Sequence, residues 1–346
     1  MKSGGRARGY AGTLQSQRVT NADVARAAGV SSMTVSRVVN GNGRVSDETR
    51  ERVRRAIEEL GYQPNQLARS LTQGRTRTIG IVVPDITNPF FPEIVRGAED
   101  AAWEAGYTVA LANAVEDPAR ERAALRNLAG HRVDGVVHCS PRLPDHELAE
   151  LLTSHTAAVL INRHAGPAPA VSLMVDDPLG ADIAVKHLVG AGRTRLVHLG
   201  GPTRSASAGY RRSGFLAAAK SAGLPVDSEL LLNCEPTEEA GYEAVSHLLS
   251  SSKREFDGLV AYNDLGALGA INAIKHAGLR VPDDVAVIGC DDIRIASLIS
   301  PSLTTLRIEK YRMGHLAIQT IFELQRGGQP ADVTFKPELI VRESAP

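Results

Sequence analysis

Apolar residues near the N-terminus recur at the three- and four-residue spacing that places them on one face of a helix. Thr20, with Asp23 three residues later, has the pattern of a capping box and predicts a helix over residues 21–28. A second cap residue, Ser31, predicts another helix over residues 32–39. A short turn that contains glycine separates the two, which is the pattern of a helix-turn-helix.

A third helix is predicted to begin at the Ser46 cap and to run through Leu60. Its apolar residues Val53, Ile57 and Leu60 fall at positions i, i+4 and i+7, so they form one stripe that closes a small three-helix core. We therefore predict an all-α domain over residues 19–64. The inward-facing residues of the second helix are predicted to be Val35, Val38 and Val39.

From residue 78 the pattern changes to short, continuous apolar runs that alternate with helical stretches. Continuous apolar strands separated by helices predict parallel, doubly wound sheets that are covered on both faces. Ligands of such sheets bind beyond the carboxyl ends of the strands, so the residues that follow each run are candidates for a site. The runs are residues 79–83, 107–112, 135–137, 159–161, 196–199, 258–260 and 285–288.

Length and composition limit the kind of protein. The chain has 346 residues, 43% hydrophobic and 23% charged, which is typical of a globular protein with room for two or three domains. No apolar run approaches the roughly 18 residues of a membrane-spanning helix, and the N-terminus lacks a secretory pattern. The three cysteines (Cys139, Cys234 and Cys290) lie far apart. We therefore expect a cytoplasmic protein with no membrane partner, no metal and no cofactor.

The net charge of zero conceals an unequal distribution. Residues 1–77 contain 14 Lys and Arg against 6 Asp and Glu, a net charge of +8, and residues 78–346 carry a net charge of −8. A basic head on an acidic body is typical of a polyanion-binding module joined to a separate domain, although a solvated basic face gives the same charge. Residues 1–18 are rich in Gly, Ser and Arg and are predicted to form a disordered basic tail.

The second helix of the head presents polar residues where a recognition helix meets base edges. With its valines facing inward, Ser32, Met33, Ser36 and Arg37 are predicted to point outward. Arg37 can make the bidentate contact to guanine that reads sequence directly, and an arginine that only contacts phosphate is the alternative. Met33 either contacts a thymine methyl group or covers the helix. The side chains suited to phosphate are those of Ser31, Thr34, Ser36, Asn40 and Arg44.

Polar and aromatic residues follow five of the predicted strands. Carboxylates, amides, a guanidinium and aromatic faces suit a polyhydroxylated ligand, which they bind through hydrogen bonds and stacking. Any one of these residues can instead be a cap or turn residue, and Asp264 stands where a helix N-cap is expected. Their recurrence favours one shared cleft. The segments are residues 85–91, 162–163, 200–202 with Arg211 beyond them, 263–264 and 291–292.

Four motifs of the head together resemble one family of regulators. They are Asp23-Val24-Ala25, Ala28-Gly29-Val30-Ser31, the run from Thr34 to Asn40, and Tyr62-Gln63-Pro64-Asn65. With them the head is similar to that of the lac repressor (LacI/GalR) family. The resemblance implies that residues 19–64 bind double-stranded DNA, with Tyr62 among the contacts. It also implies a hinge helix and linker over residues 65–77, with Leu71 as an apolar wedge in the minor groove.

The body resembles the same family from about residue 78 to the end. The matching motifs are residues 88–91, 200–202, 211–215, 263–264, 278–282, 289–292 and 303–305. The resemblance implies an α/β body of two lobes, similar to a periplasmic sugar-binding protein, in which the chain crosses between lobes three times. It implies effector binding and dimerisation over residues 78–346. The implied effector ligands are Phe90, Phe91, Asn162, Arg211, Asn263 and Asp291.

The resemblance implies a homodimeric repressor that binds a pseudo-palindromic operator under the control of a small-molecule effector, expected to be a carbohydrate. Pro236 and Cys290 replace aromatic residues that are common in the family, so a nucleobase and the absence of any effector stay open as alternatives. An enzyme is disfavoured because no G-x-G-x-x-G, P-loop or G-x-S-x-G pattern follows a strand. A transport-type binding protein is disfavoured by the basic head.

Overall fold

The computed structural model describes residues 19–41, 43–63, 74–251 and 255–346. The chain divides into two compact units, Met1–Thr76 and Arg77–Pro346, each with its own hydrophobic core. The first unit contains three helices: α1 (Asn21–Ala28), α2 (Ser32–Asn40) and α3 (Asp47–Leu60).

Each helix of the first unit begins at a hydroxyl cap and ends at a left-handed glycine. Thr20, Ser31 and Ser46 accept a hydrogen bond from the backbone N–H three residues on, and the Asp23 carboxylate completes the capping box by accepting from Thr20 N. The sequence pattern therefore predicted all three helices, although α2 extends one residue further than expected, to Asn40.

The core of the first unit is formed by all three helices, with Val24, Val35 and Val53 fully buried at its centre. The prediction that Leu60 belongs to this core is wrong, because 37% of its surface is exposed. The chain turns at the left-handed residue after α3, and Tyr62 packs against the core from there. Leu60, the last residue of the helix, consequently faces outward.

The second unit alternates strands and helices. Its first half contains β1 (Thr78–Val83), α4 (Phe90–Glu104), β2 (Thr108–Asn113), α5 (Pro118–Gly130), β3 (Gly135–Cys139), α6 (Asp145–Leu152), β4 (Ala158–Ile161), β5 (Val171–Val175) and α7 (Asp177–Gly190). Its second half contains β6 (Leu196–Gly200), α8 (Ala206–Ser221), β7 (Leu231–Asn233), α9 (Glu238–Ser250), β8 (Gly258–Ala261), α10 (Asp264–His276), β9 (Ala286–Asp291), β10 (Thr304–Arg307), α11 (Lys310–Gln325), β11 (Val333–Phe335) and β12 (Glu338–Ile340).

The strands form two six-stranded sheets, which define two lobes. The order in the first sheet is β11-β5-β4-β3-β1-β2, and the order in the second is β12-β10-β9-β8-β6-β7. All neighbouring strands pair in parallel except β10 and β12, which are antiparallel. The chain changes sheet between β5 and β6, between β10 and β11, and between β11 and β12. These are the three crossings that the family resemblance implied.

Apolar side chains cover both faces of each sheet, as the continuous apolar runs predicted. On the first sheet, Ile79 and Ile81 belong to one buried cluster, and Val82 belongs to a second cluster on the opposite face. Because successive side chains of a strand point to opposite faces, β1 contributes to both clusters. Five strands were not predicted from the sequence: β5, β7, β10, β11 and β12. Three of them contain only three residues, too few for a periodicity to register.

Candidate functional site

The outward face of α2 carries the side chains predicted to contact bases. Ser32, Met33 and Arg37 are exposed, with 64% of the Met33 surface accessible, and Ser36 is half-buried. Hydroxyls, one thioether and one guanidinium provide hydrogen-bond donors and acceptors together with an apolar contact, which are the groups that base edges in a major groove can use. The face is therefore chemically suited to direct readout.

Arg37 lies against Gly43, beyond the end of α2. A Cβ atom on Gly43 would come within 3.3 Å of Arg37 Cδ, and Gly43 has a φ of +91°. An L-residue with a side chain rarely adopts that backbone conformation, so the φ value favours glycine here. A side chain at position 43 would also make a tight contact with the aliphatic part of Arg37.

The hydroxyls predicted to contact phosphate at the start of α2 also form its cap. Ser31 Oγ accepts a hydrogen bond from Thr34 N at 3.2 Å and lies 3.0 Å from Thr34 Oγ1. A hydroxyl can donate and accept at the same time, so this cap leaves capacity for a further partner. Arg44, the other predicted phosphate contact, is exposed.

Tyr62 is half-buried against the core of the head, which gives its ring a packing role whatever else it contacts. Two other predicted DNA contacts cannot be placed. The side chain of Asn40 and the whole of Leu71 lie outside the described residues, and so does most of the predicted hinge segment.

The second unit contains a cleft at the carboxyl ends of strands from both sheets. The cleft spans about 350 Å³ of space, part of which is open to solvent. The structure brings all six residues that the resemblance implied as effector ligands to this one cleft: Phe90, Phe91, Asn162, Arg211, Asn263 and Asp291. It adds Asn88, Glu116, Ser140, Arg142, Ser207, Pro236 and Tyr262 to the lining.

Phe90 and Phe91 are the first two residues of α4 and form the apolar part of the cleft wall. Their rings meet edge to face, with centroids 5.1 Å apart. Asn88, in the preceding turn, accepts a hydrogen bond from Phe90 N through Oδ1 at 3.0 Å, which fixes the start of the helix. Aromatic faces held in this way suit the apolar face of a sugar or another flat ligand.

Four cleft residues have backbone conformations that side chains rarely adopt. Glu116 has a φ of +55°, Ser140 of +46°, Asn162 of +57° and Asp291 of +123°. They stand at or just beyond the ends of β2, β3 and β4 in the first sheet and of β9 in the second, and all four line the cleft. Strained residues of this kind cluster at binding sites, where the surrounding structure holds them in place.

Arg211, on α8, is held by a buried ion pair behind the cleft. Arg211 Nε donates to Asp177 Oδ1 at 2.7 Å, Nη1 donates to the Tyr262 carbonyl oxygen, and the guanidinium lies 4.8 Å from the Tyr262 ring centroid. Burial acts to lower the pKa of Arg211, but the attraction of charged neighbours, Asp177 first among them, outweighs it, so the pKa lies above its ordinary value. Arg211 is therefore a fixed cation with a predetermined orientation.

Asp291 is the last residue of β9 and is almost completely buried. Burial raises the pKa of its carboxyl to about 8, because desolvation disfavours the charged form more strongly than Arg211 favours it. At neutral pH the carboxyl is therefore mainly protonated, so it can donate one hydrogen bond and accept others.

The structure corrects one assignment next to the cleft. Asp264 was expected to be an N-cap, but the cap of α10 is Asn263, whose Oδ1 accepts from Gly266 N at 2.9 Å. Asp264 is the first helical residue and is fully buried, with its carboxylate accepting from Ile293 N and from the Thr305 hydroxyl. The helix starts one residue earlier because the side chain of Asp264 turns inward, to these two donors.

Five lining residues were missed by reasoning from the sequence: Glu116, Ser140, Arg142, Ser207 and Tyr262. Glu116, Ser140, Arg142 and Tyr262 follow β2, β3 and β8, so the rule that sites lie beyond strand ends would have found them had it been applied to every strand. Ser207 lies in the first turn of α8, and no pattern in the sequence indicated that this turn faces the cleft.

Three atoms of the cleft are buried and have no hydrogen-bond partner: Arg142 Nη1, Asn162 Oδ1 and Ser207 Oγ. Buried polar groups in proteins are nearly always hydrogen-bonded, because leaving one unpaired costs about 1–3 kcal/mol. Arg142 and Asn162 come from the first lobe and Ser207 from the second. Both lobes therefore contribute unpaired polar atoms to the residues that line the cleft, as expected of a site that receives a polar molecule.

Of the two positions where the sequence departs from the family pattern, only Pro236 lines the cleft. Cys290 lines a neighbouring, mostly apolar cavity together with His198 and Asp177. Burial raises the pKa of the Cys290 thiol well above its ordinary value, so the thiol is protonated and unreactive.

The described residues contain no group of three or more His, Cys, Asp or Glu side chains arranged to hold a metal ion. Within the same part of the chain, no helix combines the length and the apolar character needed to cross a membrane.

Comparison with known protein families gives two matches. Residues 20–65 match the model described as "Bacterial regulatory proteins, lacI family", and residues 76–334 match "Periplasmic binding proteins and sugar binding domain of LacI family". Among curated proteins, the chain is 39% identical to the HTH-type transcriptional regulator RegA of Clostridium saccharobutylicum, over 93% of this chain and 98% of RegA. It is 34% identical to the regulator GalR of Escherichia coli K12, over 93% of this chain and 94% of GalR.

Two solved structures of transcriptional regulators match most of this chain. A lac repressor dimer bound to operator and an anti-inducer matches with a TM-score of 0.87 and 28% identity, over 95% of this chain and 99% of that one. The complex of the transcriptional regulator CelR with cellobiose matches with a TM-score of 0.71 and 32% identity, over 94% and 100% of the two chains. These relatives are transcriptional regulators, not enzymes. The helix-turn-helix head and the two-lobed body together show that this chain belongs to the LacI family of bacterial regulatory proteins.

Proposed function

We propose that this regulator is a homodimeric repressor whose affinity for a pseudo-palindromic operator is controlled by a carbohydrate bound between its lobes. One observation carries the proposal: six residues from different segments of the chain line a single cleft, together with unpaired polar atoms from both lobes. A site with unpaired polar atoms on both sides gains hydrogen bonds when a polyhydroxylated molecule binds.

In the head, α2 is the recognition helix of the proposed function. Ser32, Met33, Ser36 and Arg37 contact bases, with Arg37 as the main source of sequence preference. The phosphate contacts that fix the register come from Ser31, Thr34, Ser36, Asn40 and Arg44, and Tyr62 is a further DNA contact. Residues 65–77 form the hinge, and Leu71 enters the minor groove from it.

In the body, Phe90 and Phe91 stack on the effector while Asn162, Arg211 and Asp291 exchange hydrogen bonds with its hydroxyl groups. The side chain of Asn263 binds the backbone at both of its polar atoms, through Gly266 N and the Pro236 carbonyl oxygen, so it contributes chiefly by shaping the wall. Binding changes the angle between the lobes and thereby the separation of the two hinges. A coupling of about 1–3 kcal/mol changes operator affinity roughly 5- to 150-fold.

Exposed apolar side chains on the body support a dimer. Trp103 on α4 is 79% exposed, and Leu111 on the edge strand β2 is 45% exposed. On the other lobe, Leu298 is 71% exposed and Ile295 is 45% exposed. Contiguous apolar surface marks contact sites between proteins, and a contact through both lobes would make the interface sensitive to the angle between them.

Two relatives are bound to ligands of the proposed kinds, operator DNA and a sugar. One lac repressor structure is a dimer bound to operator, and the CelR structure is a complex with cellobiose. A regulator with these ligands acts in the cytoplasm, where both DNA and metabolites are accessible.

The deciding experiment selects bound sequences from random DNA with the purified full-length chain and then measures operator affinity with and without candidate effectors. We expect an inverted repeat and a sugar that changes operator affinity at least fivefold. A preference for inverted repeats without response to any sugar, nucleobase or extract would identify a regulator that lacks an effector. If only a nucleobase changes operator affinity, the effector is a nucleobase and not a carbohydrate. Sugar binding without any DNA preference would favour a transport-type binding protein.

A further inference from the structure

One guanidinium nitrogen of Arg142 has no hydrogen-bond partner. Arg142 Nε and Nη2 donate to the two carboxylate oxygens of Glu116 at 2.7 Å and 2.9 Å, so this part of the side chain has a fixed orientation. The third nitrogen, Nη1, has no hydrogen-bond partner and is buried, since Arg142 as a whole is only 7% exposed. A guanidinium nitrogen can only donate, so the missing partner is an acceptor.

The loop that carries Arg142 is itself rigid. The backbone N–H groups of Arg142 and Leu143 donate to the buried carboxylate of Glu121, with the closest contact at 2.9 Å. Burial opposes ionisation of Glu121, but hydrogen bonds from His138 and from these N–H groups outweigh it and lower the pKa of the carboxyl. The loop is therefore tied to a charged residue in the core, and Nη1 occupies a defined position in the cleft wall.

The carboxyl groups in and behind the cleft do not leave free negative charge to repel an anion. Glu116 is paired with Arg142 and lies 3.7 Å from Arg204, and Asp177 is paired with Arg211. The third carboxyl group, that of Asp291, is mainly protonated at neutral pH because burial raises its pKa to about 8.

The opposite wall of the cleft presents the N-terminus of a long helix. Helix α8 has 16 residues and no acidic residue in its first turn, and Ser207 in that turn lines the cleft with a buried, unpartnered hydroxyl. Helix N-termini carry a partial positive charge that stabilises anions. The Nη1 donor of Arg142 and the α8 N-terminus therefore place groups that can stabilise an anionic acceptor on both walls of the cleft.

We propose that the effector is an anionic polyol, a sugar acid or a sugar phosphate, whose negatively charged group accepts a hydrogen bond from Arg142 Nη1. This inference rests on the proposed function of the cleft and narrows its ligand class. Arg142 then selects the charged sugar over its neutral parent, because a charge-assisted hydrogen bond in a buried site is stronger than a neutral one.

The test measures binding of the purified full-length chain by thermal shift and titration calorimetry. The probes are matched sets for several hexoses and pentoses: the neutral sugar, its uronic or aldonic acid, and its phosphate. We expect one acidic member to bind at least tenfold more tightly than its neutral parent, with an affinity that falls as salt is added. Within one matched set, tighter binding of the uronic or aldonic acid or of the phosphate shows whether the charged group is a carboxylate or a phosphate. A neutral sugar that binds as tightly as its acids, or no acid that binds at all, overturns the inference.

Two variants separate ligand selection from stability. Arg142→Gln removes the charge and is expected to weaken binding of the acid about 10- to 100-fold, and binding of the neutral parent by a clearly smaller factor. The matched control is Arg122→Gln, since Arg122 forms an ion pair with Glu147 in the same lobe without lining the cleft. If Arg142→Gln weakens the acid and the neutral sugar equally, the proposed contact is wrong.

DNA binding is measured separately from effector binding, so the two proposals can fail independently. Selection from random DNA with the same preparation tests the proposed function, so a regulator that prefers an inverted repeat but binds only neutral sugars overturns this inference alone. A chain that binds sugar acids and shows no DNA preference overturns the proposed function and leaves the ligand class intact.

Discussion

Arg204 of the second lobe and Glu116 of the first face each other beside the cleft, with Arg204 Nη2 and Glu116 Oε2 3.7 Å apart. Arg204 also binds both oxygens of Glu235 in its own lobe, at 2.6 Å and 3.0 Å, and Glu116 binds Arg142. These four side chains form a chain of ion pairs that joins the lobes. These ion pairs hold the two lobes together beside the cleft through charge rather than through apolar packing.

We predict that Arg204→Ala weakens effector binding about two- to fivefold, because a partly exposed ion pair contributes up to about 1 kcal/mol. Calorimetric titration at low and at high salt measures the effect, and salt should reduce the difference between variant and parent. Arg195→Ala is the control, since Arg195 is similarly exposed and pairs with Glu255 within one lobe. Equal affinity of the Arg204 variant and the parent at low salt would contradict a role in closure.

A second prediction concerns the buried pair of Arg211 and Asp177. Arg211→Met leaves the Asp177 carboxylate buried without its partner, which is expected to reduce the free energy of unfolding by about 3–5 kcal/mol. The double variant Arg211→Met/Asp177→Asn removes the uncompensated charge and should recover part of that loss. Urea unfolding of both proteins provides the comparison. A double variant no more stable than the single one would mean that the pair does not act through its charge.

A third prediction concerns readout of bases. Arg37→Ala should remove preference at one base pair of each half-site, worth about 1–3 kcal/mol, and relax specificity there. Arg44→Ala should instead weaken binding to all sequences about equally, since a phosphate contact carries no sequence information. Affinities for a selected operator and for single-base variants of it measure both effects. Unchanged base preference in the Arg37 variant would assign Arg37 to phosphate.

The cleft residues could be predicted to the extent that their positions follow from sheet topology. Asn162, Asn263 and Asp291 stand at or after strand ends, and parallel strands bring their carboxyl ends to one edge. Position alone did not separate a ligand contact from a cap. Asn263 and Asp264 are adjacent polar residues at a helix start, and only the buried donors around Asp264 decide which of them caps α10.

The sequence patterns did not predict contacts between distant segments of the chain. The pairing of Arg142 with Glu116 depends on the loops after β3 and β2 meeting, and the sequence does not state where either loop turns. In the head, the i+7 spacing of Leu60 suggested burial, but the chain reversal after α3 places Tyr62 on the core instead. Local periodicity predicts which face of an element is apolar, and the tertiary structure decides how far along the element that face is covered.

The carboxyl of Asp291 is predicted to make stability depend on pH. Its pKa is about 8 in the folded protein, against an ordinary value of 3.8 that holds when unfolded. Between these values the folded state holds the proton and the unfolded state does not, so the contribution of Asp291 to stability is fully present below about pH 3.8 and falls as pH rises toward 8. The slope of the contribution is at most about 1.4 kcal/mol per pH unit.

Asp291→Asn stays neutral at every pH, so its free energy of unfolding relative to the parent should rise between pH 5 and pH 8. Urea unfolding across that range measures the difference. Asp292→Asn is the control, because hydrogen bonds from Arg342 and Arg307 outweigh burial and lower the pKa of Asp292. That carboxyl is ionised in both states over this range, and its variant should differ from the parent by a constant amount. A constant difference for Asp291→Asn as well would contradict a protonated Asp291.

The last prediction concerns the dimer and links the surface of the body to DNA binding. Trp103→Glu places a charge on the most exposed large apolar side chain among the described residues. If α4 lies in the interface, the dissociation constant of the dimer should rise at least thirtyfold, since a central aromatic residue often contributes 2 kcal/mol or more. Operator affinity should fall with it, because two heads must reach two half-sites together.

Sedimentation velocity at several protein concentrations, combined with operator titration, separates these effects. Val226→Glu is the control, since Val226 is 44% exposed but lies in the loop between α8 and β7 on the other lobe. Only the Trp103 variant should regain full operator affinity at high protein concentration, where mass action restores the dimer. A Trp103 variant that stays dimeric, or a Val226 variant that dissociates equally, would place the interface elsewhere on the body.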